Sequence, residues 1–226
     1  MRILGALFDL DGTLLDTEPL YDEAEQKIIN LYGNGKTLDL YTKQQLLGTP
    51  ASVNCKLLVE KFEVKITPAE FEKMRDEFLI EPFRNCKFKK GAKELTHKCK
   101  YDLGLKTAIA TGSSKYNFDN KVYNLKQWLN DDIDIVITSD NIKRGKPAPD
   151  IFILAAKELG LETNECIVFE DDISGVKVAI AAGIGIVVAI IEKWQKDDLD
   201  KIIYDKNKTK ISVLDSMEQF DFSIVK

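Results

Sequence analysis

Two carboxylates one residue apart give this chain its first sign of chemistry. Asp9 and Asp11, in Asp9-Leu10-Asp11-Gly12-Thr13, follow the apolar run Ile3-Leu4-Gly5-Ala6-Leu7-Phe8. That run reads as a buried parallel strand bounded by turn residues. The acids therefore stand where a strand ends, the edge of an open α/β sheet at which ligands bind. Asp-x-Asp-Gly is also ordinary turn chemistry, so its partners downstream must decide between the two readings. Three later strand ends carry such partners. Ala110-Thr111-Gly112-Ser113-Ser114 opens a helix, and the Thr111 hydroxyl with free backbone N–H groups, that of Gly112 among them, makes an anion site. Gly145-Lys146-Pro147-Ala148-Pro149-Asp150 holds a lysine that can neutralise a phosphate or a crowded pair of carboxylates. Phe169-Glu170-Asp171-Asp172 sets three acids in a row, which repel one another unless a cation compensates, and hard oxygen donors suit Mg²⁺. Glu170 and Asp171 read as metal ligands; Asp172 directly precedes a helix and reads first as its N-cap.

These ends need a sheet to gather them. From Gly91 the pattern alternates: a helix over 91–103, the strand Leu105–Ala110, a helix from about 114 and the strand Ile133–Thr138. A helix over Pro149–Leu159, the strand Cys166–Phe169, a helix over 173–182 and the strand Gly185–Ile190 follow, with a short helical and strand-like tail to Val225. Such alternation predicts an α/β fold, a Rossmann-like parallel sheet with helices on both faces. Between the first strand and the next lies a different pattern. Glu18–Tyr32, Thr42–Leu47, Ser52–Phe62 and Pro68–Phe83 show helical apolar spacing, and Thr67-Pro68 with Glu70 reads as a capping box. The expected organisation is an α/β core over 1–16 and 86–226 with a helical insert over 17–85. The charged stretch Asp197–Lys210 reads as a surface segment.

Composition narrows the function. The 226 residues, 44% hydrophobic and 31% charged, suit a soluble globular protein. A net charge of −5, with lysines and acids interspersed, offers no footprint for nucleic acid or an anionic membrane. The four cysteines are scattered without a C-x-x-C pair, which argues against a zinc site or a disulfide framework. The longest apolar stretch, Ile184 to Ile191, is a core strand rather than a membrane span. A cytoplasmic monomer is the expectation. The single histidine, His97, lies in a lysine-rich helix and reads as solvated, so acid–base chemistry falls to carboxylates or lysine.

Together the runs DLDGT, ATGSS, GKPAPD and FEDD resemble, in order and over the whole length, the four motifs of the haloacid dehalogenase superfamily of phosphohydrolases. The insert between the first and second motifs looks like the family's helical cap, placing the chain with the helical-cap subfamily. Leu15 to Tyr21, the GKPAPDIF run and Phe118-Asp119-x-Lys121 look most like the branch containing eukaryotic pseudouridine-5'-phosphatase, with Gly112 standing where that branch usually has Ser. The resemblance implies that Asp9 attacks phosphorus to form an aspartyl-phosphate. Asp11 would protonate the leaving alcohol and then deprotonate the attacking water, which requires the two carboxylates to differ in protonation state. It implies Mg²⁺ held by Asp9, the Asp11 backbone carbonyl, Asp171 and Glu170, with Thr111, the Gly112 N–H and Lys146 on the phosphoryl oxygens.

Asp11 argues against the halide-removing members, which lack an acid there. The Gly48-Thr49-Pro50-Ala51-Ser52 loop has no basic residue to grip a second phosphate, so transfer to water is favoured over a mutase of the β-phosphoglucomutase kind. The expected substrate is a small phosphorylated metabolite with a neutral polar leaving group: a nucleotide, sugar or polyol monophosphate. Glu18, Tyr21 and Thr49 are the candidates to face that group from the cap. A catalytically silent binding protein on the same fold is the alternative from another class.

Overall fold

A computed structural model describes residues 2–46, 48–191, 193–196, 199 and 209–225. Its centre is a six-stranded parallel sheet of β1 (Gly5–Phe8), β2 (Lys106–Ala110), β3 (Ile135–Ile137), β4 (Cys166–Glu170), β5 (Ile186–Ile190) and β6 (Lys210–Leu214). The strands run in the order β3-β2-β1-β4-β5-β6, every neighbour parallel. The Rossmann-like α/β class expected from the alternating pattern is the observed one. Strands β1, β4 and β5 sit between helices on both faces, which is why they read as unbroken apolar runs rather than as alternating ones.

The chain lays down β1, β2 and β3 outward in one direction and then returns to place β4, β5 and β6 on the other side of β1. That reversal makes a crevice at the carboxyl ends of β1 and β4. Register fixes what faces it: Phe8 lies opposite both Ile109 and Phe169, so the residues that follow each of these three strands emerge side by side.

Helices cover both sides of the sheet. On one, Phe8, Ile109, Ile167 and Phe169 pack with α5 (Ala92–His97), α6 (Lys115–Lys121), α7 (Lys126–Asp132) and the carboxyl-terminal Met217, Phe220 and Val225. Phe8 stacks on Phe169 with centroids 5.1 Å apart. On the other, Leu7, Ala108, Val168 and Val187 pack with α8 (Asp150–Glu158) and α9 (Ile173–Ala181). The helix expected over 91–103 changes pitch: after α5, Lys98–Asp102 continues as a π-helical turn, with Leu103 N–H bonding to the Lys98 carbonyl. Asp197–Lys210 falls almost wholly outside the described residues, but Lys210 itself opens β6.

Between β1 and β2 the chain builds α1 (Glu18–Tyr32), α2 (Leu40–Leu46), α3 (Ala51–Lys61) and α4 (Pro68–Arg84). These bury an apolar cluster of their own, Ile28, Ile29, Leu38, Cys55, Leu58, Phe62 and Phe71 among it. The expected capping box is formed, with Thr67 accepting from Glu70 N–H and the Glu70 carboxylate accepting from Thr67 N–H. The outgoing and returning connections lie side by side: Asp16 N–H bonds to Lys87 O and Lys89 N–H to Leu14 O, both at 2.9 Å.

Candidate active site

Asp9 leaves β1 with its N–H bonded to the Phe169 carbonyl at 3.0 Å, which sets it beside the end of β4. There the carboxylate oxygens of Asp9, Glu170 and Asp171 all come within 4.8 Å of one another. Two glycines leave room for this crowding. A Cβ at Gly175, in the first turn of α9, would lie 2.0 Å from the Glu170 carboxyl carbon. One at Gly12 would lie 2.1 Å from Asp171 Oδ2, and Gly12 has a φ of 78° that favours glycine in any case. Thr13 holds Asp171, its hydroxyl donating to Oδ1 at 2.6 Å.

The cluster carries more negative charge than its protein partners neutralise. Lys146 Nζ lies 2.7 Å from Glu170 Oε1, 3.3 Å from Asp9 Oδ1 and 3.7 Å from Asp172 Oδ2. Burial opposes the lysine's charge, but these acids outweigh it and raise its pKa well above the usual value. Burial also raises Asp9, to about 6, with Lys146 pulling the other way and Asp11 and Asp172 adding to the rise. Glu170 and Asp171 are raised well above the carboxylate range, again chiefly by burial. Glu170 is fully buried, and among the described residues its Oε2 has no hydrogen-bond partner. Three converging hard oxygen donors, one with an orphaned atom, fit a divalent cation of the Mg²⁺ type. Asp172 caps α9 as expected, accepting from Gly175 N–H at 2.9 Å through Oδ1.

Asp11 points elsewhere. Its Oδ1 accepts from Lys121 Nζ at 2.5 Å and from the Thr17 hydroxyl at 2.7 Å, and its Oδ2 accepts from Ser113 Oγ at 2.8 Å. Among the described residues its carboxylate does not join the acidic cluster of Asp9, Glu170 and Asp171. Burial would raise its pKa, yet Lys121 and these hydrogen bonds overrule burial and hold it below the usual value. The two acids do differ, but in this arrangement Asp9 is the more readily protonated. That order is the reverse of the one their expected roles require.

Thr111, fully buried, follows β2, and its Oγ1 accepts from Ser113 N–H at 3.1 Å. A Cβ at Gly112 would meet nothing within 4 Å, so the absence of Ser there reflects no shortage of space. Of the cap candidates, Tyr21 reaches the site, its hydroxyl accepting from Lys121 Nζ at 3.1 Å. Glu18 stands 3.9 Å from Lys89, while Thr49 donates to the Leu46 carbonyl at 2.8 Å and pairs with Asn54. The loop that carries Thr49 does approach the core: a Cβ on Gly48 would sit 2.2 Å from Asp172 Oδ1. His97 is remote from all of this, exposed and 3.2 Å from Asp132. The four cysteines are free thiols.

The sequence gives no role to Lys121, Thr17 or Thr13 and offers Ser113 or Ser114 as the helix cap; Ser114 is that cap, and the bond from Ser113 to Asp11 lies beyond that expectation. A signal for Lys121 existed. It follows Phe118 by three residues and so falls on the apolar face of α6, an unusual phase for a lysine.

A family model for haloacid dehalogenase-like hydrolases matches residues 3–183. The chain belongs to that family. A phosphorylated carbohydrates phosphatase of Thermotoga maritima is 32% identical to this hydrolase over 83% of the chain and 85% of its own length. A probable pseudouridine-5'-phosphatase of Saccharomyces cerevisiae is 33% identical over 81% of the chain and 80% of its own. The crystal structure of a family IA haloacid dehalogenase hydrolase of Entamoeba histolytica shares the fold, with a TM-score of 0.76 at 24% identity over 99% of this chain and 97% of that one. Phosphatase, the enzyme class expected from the sequence, is the class these relatives carry. Among the described residues no helix is long and apolar enough to cross a membrane.

Proposed function

We propose that this hydrolase is a Mg²⁺-dependent phosphomonoesterase that works through an aspartyl-phosphate on Asp9. The observation that carries the reading is the position of Asp9 at the reversal of strand order, against Lys146 and within the Glu170–Asp171 cluster. In the first step an Asp9 carboxylate oxygen bonds to phosphorus as the bond from phosphorus to the leaving oxygen breaks, and Asp11, protonated against the pull of Lys121 once the anionic phosphate sits beside it, passes that proton to the leaving oxygen. In the second, Asp11 takes a proton from water as the water oxygen bonds to phosphorus and Asp9 is released. Lys146, the Thr111 hydroxyl and the Gly112 N–H bind the other phosphoryl oxygens and stabilise the charge they gain in the transition state. Asp9, Glu170, Asp171 and the Asp11 backbone carbonyl would hold Mg²⁺, whose positive charge would let an anionic nucleophile face an anionic phosphate and would keep Asp9 ionised.

The names of the relatives and the residues of the insert support a substrate class. One named relative is a phosphorylated carbohydrates phosphatase and the other a probable pseudouridine-5'-phosphatase, and both names point to phosphorylated compounds rich in hydroxyls. Residues 17–85 form the cap in this reading, with Tyr21, Glu18 and Thr49 on the side of the leaving group. Sugar, polyol and nucleoside monophosphates are the candidates, pseudouridine 5'-phosphate included. Phosphate release from such a panel, with Mg²⁺ and with EDTA, tests the reading beside Asp9→Asn. Mg²⁺-dependent release that Asp9→Asn abolishes is the expected result. No release from any substrate rejects it, and isomerised product dependent on a bisphosphate activator reassigns the chain to a mutase.

A further inference from the structure

Lys121 is fully buried, which a lysine tolerates only when its charge is paired and hydrogen-bonded. Its three N–H donors have three acceptors: Asp11 Oδ1 at 2.5 Å, Ser113 Oγ at 2.7 Å and the Tyr21 hydroxyl at 3.1 Å. Two of these belong to the core site and the third to α1. The ring of Phe83, from α4, closes over the same ammonium at 4.6 Å and meets Tyr21 edge-on at 5.4 Å. A single side chain on α6 thus touches the candidate proton donor and both flanking helices of the insert.

The bonds around Asp11 give that contact a consequence. A carboxylate offers about four lone-pair sites. Thr17 and Lys121 occupy both on Oδ1, and Ser113 takes one on Oδ2. One site on Oδ2 is left to exchange a proton with a substrate oxygen. We propose that Lys121 is a positioning residue that fixes the Asp11 carboxylate with this Oδ2 site presented to the leaving group, and that Tyr21 completes the arrangement when the cap is seated. The inference rests on the reading of Asp11 as the group that gives the leaving oxygen its proton. Without Lys121 the carboxylate swings on Thr17 and Ser113 alone. With the cap lifted, Lys121 loses its Tyr21 acceptor, so proton delivery is coupled to closure over the substrate.

Leaving groups that do and do not need a proton separate this role from a merely structural one. With Mg²⁺ present, kcat/KM is measured for p-nitrophenyl phosphate, whose anion departs unprotonated, and for the alkyl phosphate the protein hydrolyses fastest. Lys121→Met is expected to lose about 100-fold on the alkyl phosphate and under about 3-fold on p-nitrophenyl phosphate. Tyr21→Phe keeps the ring against Phe83, and so carries the test should Lys121→Met fail to fold by circular dichroism. It is expected to show the same split at about 3- to 10-fold. Equal losses on both substrates in both variants, or no loss, overturn the inference, and a split in Lys121→Met without one in Tyr21→Phe overturns the link to the cap. Asp11→Asn is the reference. If it shows the split while neither variant does, Lys121 alone is misassigned; if it shows none, the role of Asp11 fails and the inference falls with it.

Discussion

Asp9 is the residue on which charge, burial and chemistry meet. It is 5% exposed, and burial lifts its pKa from 3.8 to about 6 against the pull of Lys146. The folded protein therefore holds a proton that the unfolded chain has already released between those values. The metal-free protein is stabilised below the lower value and loses that stability as pH rises through about 6. In EDTA, Asp9→Asn is expected to flatten this part of the pH dependence and to melt above the parent at pH 8. Parallel melting curves for the two proteins would contradict it. Mg²⁺ needs the ionised carboxylate, so its affinity should climb as pH passes about 6, read by calorimetric titration at pH 5 and pH 7. Gly175 offers a second test at this scale. A methyl there would meet the Glu170 carboxyl carbon at 2.0 Å, and that side chain is fully buried. Gly175→Ala should destabilise the protein by about 1–3 kcal/mol and weaken Mg²⁺ binding. Unchanged melting and unchanged metal affinity would show that Glu170 can move aside freely.

Among the elements, the strands and most helices were legible because their periodicity is strong. Glu18–Tyr32 matches the expected helix to the residue, and the start of α4 is legible from Thr67 and Glu70, which form the capping box, and from Pro68 at the first helical position. What local pattern could not show was the π-helical turn after α5 or the second helix, Lys126–Asp132, after α6. Both depend on how neighbouring segments pack on the sheet. The same limit applies to the site. The residues directly after β1, β2 and β4 announced themselves by type and place, whereas Lys121 and Ser113 gain their meaning from Asp11, more than 100 residues away. The helices of the insert should behave as a separable structural unit as far as Thr67 is concerned. Thr67→Ala removes the side-chain acceptor for Glu70 N–H at an exposed helix start. It is expected to cost about 1 kcal/mol of stability, read as a lower melting temperature, while kcat/KM stays within about twofold of the parent. A large loss of activity at unchanged stability would mean that α4 is tuned through its cap.

At the scale of the whole molecule, the structure captures the insert seated against α6 and the start of α9. The two bodies touch through Tyr21 and Phe83 at Lys121, through Asp76 and Asn117 at 3.3 Å, and through the turn at Gly48 against Asp172. The last contact lies nearest the acids, and it allows no side chain. Gly48 has a φ of 67°, and a Cβ there would stand 2.2 Å from Asp172 Oδ1 and 2.8 Å from Ser174 Cβ. Asp172 cannot easily yield, since it caps α9 and lies 3.7 Å from Lys146. Gly48→Val should therefore leave each body folded and hold the turn off the site. Closure excludes water and aligns the reacting groups, and a misplacement of about 1 Å can cost about 100-fold. The expected effect is a loss of about 10- to 100-fold in kcat/KM on the preferred phosphate, with a melting temperature near that of the parent. If activity is retained, the approach of Gly48 to Asp172 is incidental to turnover. If activity and melting temperature fall together, the turn contributes to folding rather than to closure.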